Sequence, residues 1–294
     1  MVPLAQVDRS YSLVANEINR RASVIEFGDS ELAAFAELQG PKRQRLIGQV
    51  AVVTGASHGL GQFFAKVLAR EGAHVVLAAR SQSVLKELAD EIADSGGRAY
   101  PVGLDVRRTE MVEHAFEEII TRCGVPTILI NNAGIAEMSG TLEQTAESFD
   151  NILCTNLRGP WLVAREAAKH MVAQKIAGSI VNIASILGIR QGGQVTAYST
   201  TKAALIQMTK QLALEWARHG IRVNALAPGY VETELNRDFF ASEKGQAMIR
   251  RIPMRRLVRM EDLIEPLMLL AGAGGAFMTG SVLPVDGGHL LSTL

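Results

Sequence analysis

Val50-Ala51-Val52-Val53-Thr54-Gly55-Ala56-Ser57-His58-Gly59-Leu60-Gly61 is a short apolar run followed by a glycine-rich turn. The apolar run is small or β-branched throughout, which is the pattern of a strand buried on both faces. Glycines at 55, 59 and 61 permit a tight turn and let a ligand approach the backbone closely. An amphipathic stretch, Gln62 to Arg70, opens from that turn, and Gly72 closes it. Strand, glycine turn and helix in that order make a cradle for a pyrophosphate. The anion sits at a helix N-terminus, where unpaired N–H groups and the helix dipole favour negative charge.

The pattern continues outward. Further strands are predicted at His74–Ala79, Ala99–Leu104, Thr127–Ile130, Ser179–Ile183, Arg222–Leu226 and near Ser281–Val285. Helices are predicted between them at Ser83–Ser95 (capped by Ser81 or Ser83), Glu110–Cys123, a long Phe149–Gln174, and Ala197–Arg218. Alternation of this kind implies right-handed βαβ units. The predicted fold class is α/β, a Rossmann-type doubly wound parallel sheet with helices on both faces. Ligands on such a sheet bind at the carboxyl ends of the strands, near the switch in strand order. Residues 46–294 read as a single dinucleotide-binding catalytic domain. Residues 1–45 read as an N-terminal extension with two weak helical patterns, either an arm or a partly ordered tail, and Lys42-Arg43-Gln44-Arg45 as an exposed link.

The 294 residues carry 30 basic and 30 acidic side chains. That balance leaves no basic footprint for nucleic acid. Cys123 and Cys154 show neither metal spacing nor a disulfide framework, which fits a reducing compartment, and no metal is expected. No apolar run reaches the ~18 residues needed to span a bilayer, and no signal peptide is evident. A cytoplasmic protein with no membrane partner is expected.

Tyr198 and Lys202 are one helical turn apart and so share a face. Alone, that spacing fits an ordinary helix start equally well. As a pair, an ammonium beside a phenol lowers its pKa from ~10 and makes Tyr198 a candidate general acid/base. Ser185 lies just beyond the fifth predicted strand and offers a hydroxyl to a substrate oxygen. The second strand ends in Ala78-Ala79-Arg80-Ser81 with no carboxylate. An acid there would bind a ribose 2′-hydroxyl and repel a 2′-phosphate, whereas Arg80 can fork onto a phosphate, with Ser57 and His58 as further donors. NADP is therefore expected, with NAD possible; the alternative is that Arg80 is a solvated surface charge.

The Thr54–Gly61 turn, Asn131-Asn132-Ala133-Gly134, Asn156, Ser185, the Tyr198/Lys202 pair, Pro228-Gly229 and Asp286-Gly287-Gly288 together resemble the classical short-chain dehydrogenase/reductase family, over about residues 46–290. The resemblance implies a cofactor site at Gly55, Ser57, His58, Gly59, Leu60, Gly61, Arg80, Asp105, Val106, Asn132, Ala133 and Gly134. Asp105 then caps the adenine pocket; read alone, it is a cap for the helix near Thr109. Pro228, Gly229, Val231 and Thr233 form the implied nicotinamide clamp. Lys202 grips the nicotinamide ribose beside Tyr198, and Asn156 holds a water in a proton path. His58 departs from the Arg or Lys of many NADP-using relatives and leaves dual cofactor use open.

The resemblance also implies a homotetramer and a substrate lid near 234–256, where Leu235, Phe239, Phe240, Met248, Ile252 and Met254 alternate with Arg250, Arg251, Arg255 and Arg256. Arg190, Gln191, Ala136 and Met138 are further candidates for the pocket wall. The expected reaction interconverts a small-molecule ketone and a secondary alcohol by hydride transfer. A 3-oxoacyl-thioester reductase and a sugar or polyol dehydrogenase are alternatives, and a silent cofactor-binding sensor or scaffold is one of another class. The complete Asn156, Ser185, Tyr198, Lys202 set favours an enzyme.

Overall fold

The computed structural model describes residues 44–231 and 237–292. Thr233, Glu234, Leu235 and all of the extension except Gln44 and Arg45 lie outside the described residues.

Seven parallel strands form the sheet: β1 (Val50–Thr54), β2 (His74–Ala79), β3 (Arg98–Gly103), β4 (Ile128–Asn131), β5 (Gly178–Ile183), β6 (Ile221–Pro228) and β7 (Val282–Val285). Their spatial order is β3-β2-β1-β4-β5-β6-β7. The chain winds one way from β1 to β3 and the other from β4 to β7. The crevice between β1 and β4 is therefore the switch point at which such sheets take ligands.

The helices are α1 (Gly59–Arg70), α2 (Gln82–Asp94), α3 (Thr109–Cys123), α4 (Ala146–Leu153), α5 (Gly159–Ala173), α6 (Thr196–Trp216), α7 (Arg237–Ala241), α8 (Glu243–Ile249) and α9 (Ile264–Ala271). Two apolar layers sandwich the sheet. Val53, Val75, Leu77 and Ile130 pack with Phe64 and Leu68 of α1 and Leu267 of α9. Val52, Val76, Leu129 and Ile180 pack with Phe116 of α3 and Val163 of α5. Alternate residues of one strand go to opposite layers because side chains alternate across a pleated sheet. Both faces are covered, so β1 reads as an unbroken apolar run.

Two differences from the sequence reading have physical causes. The long helix expected over 149–174 is broken by a π-helical turn, Cys154–Arg158, which places Asn156 fully inside the protein. Helix α9 has no counterpart in the sequence reading: Ile264-Glu-Pro-Leu-Met-Leu-Leu-Ala271 is apolar at almost every position, so no polar face sets off its buried side in the sequence. Pro266 stands in its first turn, where a missing N–H costs nothing. Gln44 and Arg45 are exposed, as expected of the link, but the Arg45 charge is not left free. It is paired with Glu71 at 2.7 Å and Glu265 at 2.8 Å, beside the buried Leu46.

Candidate active site

Site geometry begins at the end of β1. Thr54 is buried, and its Oγ1 accepts the backbone N–H groups of Asn132 and Ala133, each at 3.0 Å. Asn132 Nδ2 returns a hydrogen bond to Thr54 O at 3.0 Å. The ends of β1 and β4 are thus locked together across the switch point. Gly61 cannot carry a side chain, since a Cβ there would lie 2.2 Å from Gly55 O and 2.5 Å from Asn132 Nδ2. Gly59 has φ +56° and open space where a Cβ would point.

Beyond these ends lies a cavity of about 600 Å³. Gly55, Ser57, His58, Leu60, Arg80, Asp105, Val106, Asn132, Ala133 and Gly134 all face it, and Gly59 and Gly61 complete the turn beside it. His58 is the N-cap of α1 but makes no side-chain cap; its Nδ1 lies 2.9 Å from Ser57 Oγ. The helix N-terminus therefore has no acceptor from its own cap residue, and its first turn holds no acidic residue. That leaves it suited to an anion. Arg80 is exposed at the rim. A glycine turn, an uncapped helix N-terminus and a basic rim fit a dinucleotide with an additional phosphate. A groove of about 710 Å³ opens at the opposite, amino-terminal edge of the sheet, near Thr127, Gly178 and Phe277. It holds none of the candidate catalytic side chains.

Asp105 does not cap α3, as a reading of that residue alone would have it. Its carboxylate is held by Arg107 at 2.6 Å, which keeps its pKa below the usual value. Helix α3 has Arg108 as N-cap and no side-chain cap. Arg107 also donates to Asn151 Oδ1 at 2.7 Å and faces the cavity, a position the sequence reading did not single out.

The second half of the site lies beyond β5 and β6. Ser185 follows β5 and is buried; its Oγ accepts the Leu187 N–H at 3.1 Å. Tyr198 and Lys202 sit in the first two turns of α6, with Lys202 Nζ 5.6 Å from the Tyr198 ring centroid. Lys202 is buried, and Nζ donates to Ile183 O at 2.7 Å. A Cβ on Gly134 would lie 3.3 Å from Asn156 Oδ1 and 3.7 Å from Lys202 Nζ, so this loop joins the two halves. The cavity walls themselves stop short of Tyr198, Lys202, Pro228, Gly229 and Val231.

Asn156 Nδ2 donates to Ile135 O and its Oδ1 accepts the Ile135 N–H, both at 2.8 Å. Nδ2 also reaches Thr201 Oγ1 at 3.3 Å. Its side chain is committed to fastening the loop after β4 onto α6. Gly229 N–H donates to Val285 O at 2.9 Å, and Val231 bridges Val258.

Electrostatics depart from the sequence reading in one respect. By spacing alone, Lys202 should lower the Tyr198 pKa. Instead burial pushes the phenol above its ordinary value; the hydrogen bond with Ser185 pulls it down, and Tyr230 adds to the rise. Burial also lowers Lys202 to about 8. Water withdrawn from both groups outweighs their mutual effect at 5.6 Å. In this arrangement Ser185, not Lys202, draws the phenol toward ionisation.

Sequence reasoning missed two residues here. Tyr230 follows Pro228-Gly229 at the end of β6, and its ring is 5.5 Å from that of His289 and 5.9 Å from Phe240. His289 is buried in the turn after β7. An aromatic residue directly after the β6 turn was the only available signal. In the lid region, Phe240 and Ile252 turn inward, Arg250, Arg251 and Arg255 are exposed, and Arg256 pairs with Asp262.

Fold and site together define a doubly wound α/β protein with a dinucleotide cleft and a Ser–Tyr–Lys cluster at its edge. Residues 55–289 match the family described as enoyl-(acyl carrier protein) reductase. The 2-dehydro-3-deoxy-D-gluconate 5-dehydrogenase of Escherichia coli (strain K12) is 34% identical over 246 residues, covering 83% of this chain and 96% of that one. A 3-oxoacyl-(acyl-carrier-protein) reductase of Thermotoga maritima is 33% identical, covering 84% of this chain and 100% of that one. The crystal structure of a gluconate 5-dehydrogenase from Burkholderia cenocepacia J2315, in complex with NADP and tartrate, superposes with a TM-score of 0.82 at 34% identity, covering 86% of this chain and 99% of that one. The chain belongs to the short-chain dehydrogenase/reductase family, whose members are NAD(P)-dependent oxidoreductases.

Proposed function

We propose that this protein is an NADP-preferring oxidoreductase that interconverts a ketone and a secondary alcohol, with Tyr198 as general acid/base. The observation that carries this reading is the convergence of Ser185, Tyr198 and Lys202 beside the cleft at the sheet's switch point. Bound NADP(H) supplies or accepts the hydride at its nicotinamide.

Protein groups supply the proton and the positioning. Ser185 holds the substrate oxygen against Tyr198. The phenol, raised by burial, is protonated at neutral pH, which is the form needed to donate to a carbonyl oxygen undergoing reduction. For oxidation, the Ser185 hydrogen bond favours the phenolate that accepts the alcohol proton. Lys202, with a pKa near 8, is placed to exchange a proton at working pH. Asn156 fixes the loop carrying Gly134 and Ile135. Arg80 binds the 2′-phosphate of NADP, and Gly229, Val231 and Thr233 hold the nicotinamide end; Thr233 enters by the family resemblance alone.

The relatives act, by name, on sugar acids and on 3-oxoacyl carriers. Both are oxygen-bearing chains, consistent with a small polar carbonyl as substrate. Exposed Trp161 on α5 and Leu214 on α6 support assembly into a homotetramer. Among the described residues no helix is long and apolar enough to cross a membrane, which accords with a cytoplasmic location.

Tyr198→Phe tests the chemistry. The variant should still quench and shift NADPH fluorescence on binding, yet lose at least about a thousandfold in turnover, within the range general acid/base catalysis supplies. Retained turnover would refute the assignment.

A further inference from the structure

Next to the Tyr198 phenol lies a group of polar side chains that the hydride-transfer chemistry does not use. Tyr230 lies close enough to Tyr198 to affect its ionisation. His289 packs against Tyr230 at 5.5 Å, and Arg190 Nη1 donates to His289 O at 2.5 Å and to Ser292 Oγ at 3.3 Å. Three elements meet here: the segment between β5 and α6, the turn after β6, and the turn after β7.

Each member has unsatisfied capacity. Arg190 keeps Nε and Nη2 free of any partner among the described residues, and no described carboxylate lies within ion-pair distance of it. His289 is 5% exposed, and its Nδ1 is buried with no hydrogen-bond partner. A sealed N–H without an acceptor is costlier than a sealed lone pair, so the ring proton belongs on Nε2, leaving Nε2–H as a donor. Burial, then Arg190, push the His289 pKa below its ordinary value against Asp286, with Arg251 adding to the fall; the ring is therefore neutral near pH 7. Asp286, whose oxygens accept the Gly288 and Leu290 N–H groups at 2.9 and 2.7 Å, makes no ion pair with Arg190.

A guanidinium with no counter-ion, a phenol and an imidazole N–H thus gather one side chain away from the reacting oxygen. All three are donors. Partly buried donors of this kind recognise an oxygen-rich anion and leave an apolar chain end with unpaired partners. Phe240 closes the other side of Tyr230 as an apolar wall. We propose that Arg190, Tyr230 and His289 are the specificity-determining set for a carboxylate on the substrate, so that the protein acts on short polyhydroxy or oxo acids rather than on neutral ketones or acyl thioesters. The proposal rests on the hydride-transfer reading above and adds the substrate class.

The test compares D-gluconate with D-gluconamide, which differ in charge and little in shape, in NADP reduction by the wild type, Arg190→Gln, Arg190→Lys and His289→Gln. Gln keeps a donor for His289 O, so the C-terminal turn stays tied while the charge is lost. The wild type should favour the acid by roughly 10- to 100-fold in kcat/KM, the range of a charge-assisted hydrogen bond. Arg190→Gln should collapse the acid/amide ratio toward one through the KM of the acid, Arg190→Lys should restore most of it, and His289→Gln should raise the acid's KM severalfold with kcat held. Equal use of acid and amide by the wild type, or an equal fall on both in Arg190→Gln with a lowered melting temperature, would overturn the proposal while leaving the hydride-transfer reading intact. Turnover of neither gluconate compound, with butanone or another neutral ketone reduced by NADPH, would also overturn it alone. No turnover of any compound would overturn the reading beneath it as well.

Discussion

Lys202→Met separates what the buried ammonium does for catalysis from what it costs the fold. Lys202 is 5% exposed, has no carboxylate partner among the described residues, and has its pKa lowered from 10.5 to about 8 by burial. At about 1.36 kcal/mol per pH unit, that difference corresponds to about 3 kcal/mol of destabilisation when both states are protonated. Methionine has similar length, so it fills the space, but it gives up the hydrogen bond to Ile183 O, worth about 1 kcal/mol.

The variant should therefore be more stable than the wild type by about 2 kcal/mol at pH 7. The sign follows from proton binding. Below pH 8 the folded and unfolded states both carry the proton and the full penalty applies. Between about 8 and 10.5 the folded state has released it and the unfolded state has not, so wild-type stability rises with pH relative to the variant. By pH 10.5 the variant's advantage should have vanished. Urea unfolding of both proteins without cofactor, at intervals from pH 7 to 10.5, reads this directly, and turnover should be lost in the variant. A variant less stable at pH 7, or a stability difference that does not change with pH, would refute the reasoning.

Arg80→Asp should move cofactor preference toward NADH by roughly 10- to 100-fold in the ratio of kcat/KM values, through lost pairing and added repulsion; an unchanged ratio would remove Arg80 from the phosphate site. Thr54→Val is isosteric but deprives the Asn132 and Ala133 N–H groups of their acceptor. It should cost roughly 2–6 kcal/mol at about 1–3 per unpaired group, measured by denaturation, and a loss below about 0.5 kcal/mol would mean the β1–β4 lock is unimportant. Light scattering after size exclusion should give about four times the 31.7 kDa chain mass, and a monomer mass would exclude the tetramer.

The order of strands and of most helices was legible because both faces of the sheet are buried; α7, α8 and α9, between β6 and β7, were not read. Strand boundaries fell within two residues: β5 begins at Gly178 rather than Ser179, and β6 runs to Pro228 rather than stopping at Leu226. The glycine turn was legible for a local reason. Gly61 has no room for a side chain, and Gly59 adopts φ +56°, so few other residues would serve.

Long-range contacts left no mark in the sequence. Asn156 became a loop fastener because a π-turn swung it inward against Ile135, a partner 21 residues away. The Asp105–Arg107 pair is local, yet its position at the cavity depends on where β3 ends relative to β1. Arg190 and His289 are 99 residues apart and meet only because β5, β6 and β7 are neighbours whose carboxyl ends share one edge.

By itself, the sequence determined the alternation of strands and helices, the pyrophosphate cradle and the residue types for proton transfer, all encoded within a few neighbouring positions. Tertiary structure alone decided the ionisation of that machinery. Burial raises Tyr198 and lowers Lys202 against the pairing that spacing suggested, because loss of water depends on every element packed around them.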